Sequence, residues 1–157
     1  MFYLSGATWT ILPDSGALTS TAANEIDYFV GAATNDGAGW SLSLSYDGKT
    51  IVAGYRGNVS GAGGEAGQLR VYTYANGAWT QKGQALSGLE SGDRLGENVK
   101  MTPDGNHLIA GAKYGSVSAV YVYDYNSSSS QWVKRTTLNH PTLPNANTHF
   151  YGSGIAI

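Results

Sequence analysis

Apolar and polar residues alternate over short stretches of this chain, and glycine interrupts the alternation again and again. Side chains two positions apart share one face of a pleated strand, so the pattern predicts strands. Residues 40–45 and 97–102 alternate in this way. Residues 50–55 and 107–112 are short apolar runs that end in small residues, and residues 68–74 and 119–125 alternate aromatic side chains with others. Further strands are expected around Trp79 and Trp132. No stretch carries a 3.6-residue apolar period, so the expected fold is all-β with almost no helix.

The strands recur. Residues 39–54 read GWSLSLSYDGKTIVAG and residues 96–111 read GENVKMTPDGNHLIAG, in register at a constant offset of 57. Asp47-Gly48 and Asp104-Gly105 fall between the first and second strands of each copy and predict hairpin turns, with glycine taking the positive φ. Val71-Tyr72-Thr73-Tyr74 matches Val120-Tyr121-Val122-Tyr123 at an offset of 49, and Trp79 matches Trp132 at 53. On that alignment the loop before the third strand shortens by eight residues and the next turn lengthens by four. Small residues at Ala53-Gly54 and Ala110-Gly111 would let neighbouring sheets approach closely.

Partial copies occupy both ends. Residues 151–157, YGSGIAI, align with the start of a copy, and the opening Phe2-Tyr3 with Gly6-Ala7-Thr8-Trp9-Thr10 aligns with the end of one. The expected organisation is one repeat region over 1–157, about 2.75 units of ~57 residues cut out of phase. Residues 1–12 close one unit, 37–83 and 94–136 are the central units, and 150–157 open another. Residues 13–36 are an insert in which residues 26–33 resemble a second strand.

Four antiparallel strands per unit, repeated in tandem, predict blades of a β-propeller. The wording of the repeat resembles the FG-GAP family of integrin-α-like propellers, in its exported bacterial and algal form. The Phe-Gly that opens each blade stands here as Ala38-Gly39, Leu95-Gly96 and Tyr151-Gly152. The family's Gly-Ala-Pro after the second strand stands as Gly54-Tyr55 and Gly111-Ala112, without proline. The third strand from Gly67 to Tyr74 and the tryptophan of the fourth are well kept, and residues 88–96, GLESGDRLG, are close to the acidic linker between blades. The resemblance covers roughly residues 37–157 and, more weakly, 1–12. It implies a propeller outside the cytoplasm, at the cell surface or extracellular, in adhesion, surface structure or ligand binding.

Composition agrees with export. Charged residues are 13% of the chain, about half the usual share, while the 157 residues include 22 glycines and 11 tyrosines. The net charge is −2 with scattered Lys and Arg, so no basic patch suits nucleic acid. No apolar run approaches the ~20 residues of a membrane span. Cysteine is absent, which excludes disulfides and thiolate chemistry. Residues 1–6, MFYLSG, lack the basic stretch and apolar core of a leader peptide.

Candidate chemistry is sparse. The resemblance implies calcium at the first hairpin turns, with Asp47 and Asp104 as candidate ligands, yet each turn offers one carboxylate where calcium takes six to eight oxygens. A turn role is therefore expected, with no cofactor. His107, His140 and His149 have no zinc spacing, and no serine sits beside a base, so no catalytic residue is expected. Tyr72, Tyr74, Tyr121 and Tyr123 would stack on sugar rings if exposed; packing between sheets is the competing role and the favoured one. Asn58-Val59-Ser60 and Asn126-Ser127-Ser128 are N-glycosylation sequons. Phe2, Tyr3, Ile155 and Ile157 lie on open sheet edges where another copy, or further blades of the same chain, would pair. The expected function is a non-enzymatic structural or adhesive module that assembles through those edges. The alternatives are a glycan-binding propeller and a non-catalytic piece of a larger propeller enzyme, and the expected partners extend to surface glycans or proteins.

Overall fold

A computed structural model of the chain describes residues 2–5, 8–11, 36–57, 64–114, 117–139 and 156–157, with residues 2–5, 8–11, 113–114 and 117–118 described by backbone alone. Among them the fold is all-β, in antiparallel sheets, with no helix. The β-branched and aromatic content of the alternating stretches, punctuated by glycine turns, accounts for this outcome.

Strands β1 (Phe2–Ser5) and β2 (Thr8–Ile11) form a two-stranded hairpin. The first large sheet runs β3 (Ala38–Leu44), β4 (Thr50–Tyr55), β5 (Gln68–Ala75) and β6 (Ala78–Gln81), with β7 (Leu86–Ser87) beside β5 beyond the end of β6. The second runs β8 (Asn98–Met101), β9 (His107–Tyr114), β10 (Val117–Asn126) and β11 (Gln131–Asn139) in the same order. The insert strand expected over residues 26–33 lies outside the described residues.

The two large sheets share one ladder. Leu42 pairs with Ala53 as Val99 pairs with Ala110, and Leu44 pairs with Ile51 as Met101 pairs with Leu108, which keeps the offset of 57. The third strands correct the sequence alignment. Ile51 opposes Tyr72 and its counterpart Leu108 opposes Tyr123, so the offset there is 51, not 49. The loop between second and third strands therefore shortens by six residues, and the next turn lengthens by two. The run VYVYDY at residues 120–125 accommodates either alignment, because a slip of two leaves every side chain on the same face.

The fourth strand differs between sheets. In the second it is continuous, with a bulge opposite Val122 and Tyr123. In the first it is broken between β6 and β7, and Lys82, Gly83 and Gln84 loop out toward the second sheet.

The core lies between the two sheets. Val52, Leu69, Val71 and Leu86 face it from the first sheet, and Val99, Met101, Leu108, Ala110, Tyr121, Tyr123 and Trp132 face it from the second. Directly opposed residues share a face, so the first sheet offers its Ser41–Ser43 side to this core and turns its Leu42–Leu44 side away. Polar atoms lock the seam at the strand-one end. Ser41 Oγ donates to the Gly96 carbonyl at 2.8 Å, Met101 N–H donates to Ser43 Oγ at 3.1 Å, and Tyr46 N–H donates to the Pro103 carbonyl at 2.8 Å.

Candidate functional site

The first hairpin turns are two copies of one device. In each, the Ser or Thr that opens the turn closes a backbone pair with the residue five positions on, Ser45 with Thr50 and Thr102 with His107. The Asp two positions on accepts from that hydroxyl, Asp47 Oδ1 from Ser45 Oγ at 2.7 Å and Asp104 Oδ1 from Thr102 Oγ1. The same carboxylates accept the N–H of Lys49 and Asn106. Gly48 and Gly105 each take a φ of +69°. The hydroxyl of Ser45 and the backbone N–H of Lys49 hold Asp47 below the ordinary carboxylate range, and Thr102 with Asn106 does the same for Asp104. Both carboxylates thus serve their turns. Among the described residues no three His, Asp or Glu side chains gather closely enough to hold a metal ion.

The tyrosines divide by sheet. Tyr121 and Tyr123 are buried in the core with rings 6.3 Å apart, edge to face, so neither offers a ring face to a sugar. That corrects their candidacy as glycan contacts: the second sheet turns them onto the first. Burial pushes the Tyr123 phenol far above its usual value. Tyr72 and Tyr74 lie on the outward side of the first sheet. Tyr72 is half-buried, and its hydroxyl meets that of Tyr55 at 3.1 Å. Tyr74 is exposed and packs on Trp79 at 5.3 Å between ring centroids.

That Tyr74–Trp79 pair repeats as Tyr125–Trp132 at 5.2 Å, with almost the same tilt. The second pair is gripped by the looped-out segment of the first sheet. Trp132 Nε1 donates to the Lys82 carbonyl at 2.8 Å, and the Gln84 amide both accepts from Trp132 N–H and donates to the Trp132 carbonyl. Lys82 Nζ lies 4.5 Å from the Tyr125 ring centre and donates to the Gly105 carbonyl. Burial lowers the pKa of Lys82, against the raising effect of Asp104 and Asp47.

One charged cluster was not legible from spacing. His107 Nδ1 meets Asp124 Oδ1 at 2.6 Å, and Arg135 Nε donates to Asp124 Oδ2. The three residues come together across β9, β10 and β11, and only the paired register predicts such a meeting. Burial works to raise the pKa of Asp124, but the bonds from His107 and Arg135 outweigh it and leave the carboxyl below its ordinary range. No nucleophile accompanies the cluster among its hydrogen-bond partners, so its chemistry is that of an ion pair on an open face. His140 and His149 lie outside the described residues.

The linker between the sheets is anchored by a buried acid. Asp93 is fully buried, and its Oδ2 accepts the N–H groups of Leu89 at 2.6 Å and Glu90 at 3.0 Å. Asp36, 57 positions earlier, is buried too and accepts the Ala38 N–H. The linker then runs beside residues 64–67, with Arg94 N–H on the Glu65 carbonyl and Leu95 N–H on the Ala66 carbonyl.

Asn126 is exposed at the end of β10, with its Oδ1 accepting from Ser128 and Ser129 N–H. Asn58 and Ile155 lie outside the described residues. Ile157 is exposed, and Phe2 and Tyr3 pair with Ile11 and Thr10 in the small hairpin. No helix among the described residues is long and apolar enough to cross a membrane.

No family model matches the chain, and no curated protein matches it. Among solved structures, a candidate 6-phosphogluconolactonase from Bacteroides uniformis superposes with a TM-score of 0.49 at 19% identity, over 78% of this chain and 33% of that one. The chain therefore spans a third of that protein's length, and a likeness at this level transfers neither activity nor site.

Proposed function

We propose that the chain is a non-enzymatic structural or adhesive module acting outside the cell, built from successive blades of an FG-GAP-like β-propeller. The observation that carries this reading is the shared ladder of the two large sheets, stacked face to face about a core of one sheet's inward side and the next sheet's outward side. Successive sheets of the same strand order, stacked on one another, are how propeller blades pack, and each unit then works as scaffold rather than as chemistry. The hydrogen bonds of Asp47 and Asp104 in the turns, Asp93 in the linker, and Ser41, Ser43 and Gln84 in the seam support the same reading.

Partners on this reading are further blades or other copies, met through the sheet edges near Phe2, Tyr3, Ile155 and Ile157, and surface proteins or glycans. Of the four tyrosines considered for glycans, only Tyr74, with Trp79 beside it, keeps an exposed ring.

The test is localisation together with architecture. An antibody against the chain should label intact cells of its source, and an experimental structure of the full-length protein should place the sheets radially about one axis. A strictly cytosolic signal, or sheets layered as a two-sheet sandwich, would overturn the proposal.

A further inference from the structure

Four places in the chain set an Asn or Asp directly before a glycine: Asp36-Gly37, Asp47-Gly48, Asn76-Gly77 and Asp104-Gly105. Such pairs share a latent reaction. The backbone nitrogen of the glycine, once deprotonated, attacks the side-chain carbonyl carbon before it and closes a five-membered imide. Glycine, having no Cβ, leaves that approach open. The structure treats the four pairs unequally. Asp36 is buried, and its Oδ1 accepts the Ala38 N–H. In the first hairpin turns the attacking groups are already engaged: Gly48 N–H donates to the Ser45 carbonyl at 3.0 Å, and Gly105 N–H donates to the Thr102 carbonyl at 2.9 Å. The carboxylates of Asp47 and Asp104 are held by hydroxyl and backbone donors, and a charged carboxylate is a poor electrophile.

Asn76-Gly77 has none of this protection. The pair forms the whole two-residue turn between β5 and β6, where Ala75 pairs with Ala78. Its φ angles of +54° and +86° make it a hairpin turn of the kind that favours Asn-Gly. Residues 74–78 are all exposed. Among the described residues the Asn76 amide and the Gly77 N–H make no hydrogen bond, and nothing stands within 4 Å of where a Gly77 Cβ would lie. Asn106 and Asn126 differ. Asn106 Oδ1 accepts from Lys82 Nζ, Asn126 Oδ1 accepts from Ser128 and Ser129 N–H, and neither residue precedes glycine. Exposure belongs to the tip itself: the matching tip, residues 126–131, is exposed although the first sheet packs on its sheet.

We propose that Asn76 is a modification site at which the folded chain loses ammonia and takes up water, giving aspartate and isoaspartate. Gly77 N gives its proton to water and bonds to Asn76 Cγ. The Cγ–Nδ2 bond breaks, and the nitrogen leaves with a proton from water as ammonia. Water then opens the imide. Cleavage between Gly77 N and Cγ leaves aspartate. Cleavage between Gly77 N and the main-chain carbonyl carbon leaves isoaspartate, whose backbone runs through the side chain. Either product adds a negative charge to an exposed tip. Isoaspartate also adds a methylene to a turn with room for two residues, so it should draw Trp79 off Tyr74, whose rings pack at 5.3 Å.

Peptide mapping by mass spectrometry tests this, after the whole chain has stood folded at neutral and at mildly alkaline pH. Isoaspartate is quantified by enzymatic methylation of its free carboxyl group. Asn76 should convert, and faster at the higher pH, because the attacking nitrogen must be deprotonated; Asp36, Asp47 and Asp104 should stay as they are. The converted chain should show altered tryptophan fluorescence. Asn76→Gly removes the amide and keeps a residue suited to positive φ, so it should fold with an unchanged circular dichroism spectrum and take no label at the turn. The wild-type chain in urea is the reference for an open turn. Conversion of Asn76 in urea with none in the folded chain would overturn the proposal, since the turn would then hold the reaction closed. Isoaspartate forming at Asp47 or Asp104 of the folded chain as fast as at Asn76 would overturn it too.

Discussion

Gly54 on β4 lies directly against the backbone of Gly96: a methyl group built on Gly54 would stand 2.1 Å from the Gly96 carbonyl oxygen. The same methyl would stand 2.5 Å from Ser41 Oγ, which donates to that oxygen. The sheets approach this closely because neither residue has a Cβ. Gly54→Ala should therefore force the seam apart and cost about 1–3 kcal/mol, the usual range for overpacking. Gly64→Ala, with nothing within 4 Å, is the control and should stay within about 0.5 kcal/mol of the wild type. Urea unfolding midpoints measure both.

The two repeated tryptophans should respond unequally. Trp132 is buried, its ring covers Gly83, and its indole N–H holds the Lys82 carbonyl. Trp132→Ala should cost about 3–5 kcal/mol, as deletion of a packed aromatic does. Trp79→Ala removes the same side chain from the half-buried counterpart and should cost distinctly less. Thermal and urea unfolding of the two variants side by side give the comparison. Equal losses would mean that the grip of Lys82 and Gln84 contributes nothing.

Much of this was legible in the sequence, for physical reasons that differ by element. The first and second strands carry an offset of 57 because the Asp-Gly turn between them has one length in both copies. The residues 50–55 expected as a strand are those of β4. Gly54 as a point of close approach was legible from its small size, and its contact with Gly96 bears that out. The third strand was misplaced by two residues because period-two alternation is blind to such a slip, and only the hydrogen-bonded ladder decides it. The split of β6 from β7 left no signature in the pattern. His107, Asp124 and Arg135 were unreadable as a group because they meet through cross-strand pairing rather than through spacing along the chain.

Calcium should leave the fold unmoved. Asp47 and Asp104 each accept a hydroxyl and a backbone N–H within their own turns, and each stands as the one carboxylate of its turn. A cation would have to displace those donors and find at least four more oxygens. Melting temperatures recorded with excess calcium and with a chelator should coincide. A rise with calcium that Asp47→Ala removes would establish a site at that turn.

Acid should unfold the chain partly through these same turns. Ser45 Oγ and Lys49 N–H hold Asp47 below its usual pKa, and Thr102 Oγ1 and Asn106 N–H hold Asp104 below its own. Each donor favours the charged carboxylate, so protonation is harder in the folded state than in the unfolded one. A carboxyl depressed on folding contributes stability that is complete above the unfolded pKa, about 3.9, and is lost as pH falls through the folded value. Urea midpoints of the wild type should accordingly fall as the pH drops below about 4. Asp47→Asn with Asp104→Asn removes both titrations while keeping an acceptor oxygen in each turn. This double variant should be less stable at neutral pH, because a neutral amide accepts these bonds more weakly than a carboxylate. Its curve should then be flatter in acid and approach the wild-type curve near pH 2. Asp124, also below its ordinary range, remains in the variant and should leave a residual slope. Parallel curves at every pH would show that the turn carboxylates add nothing through their charge.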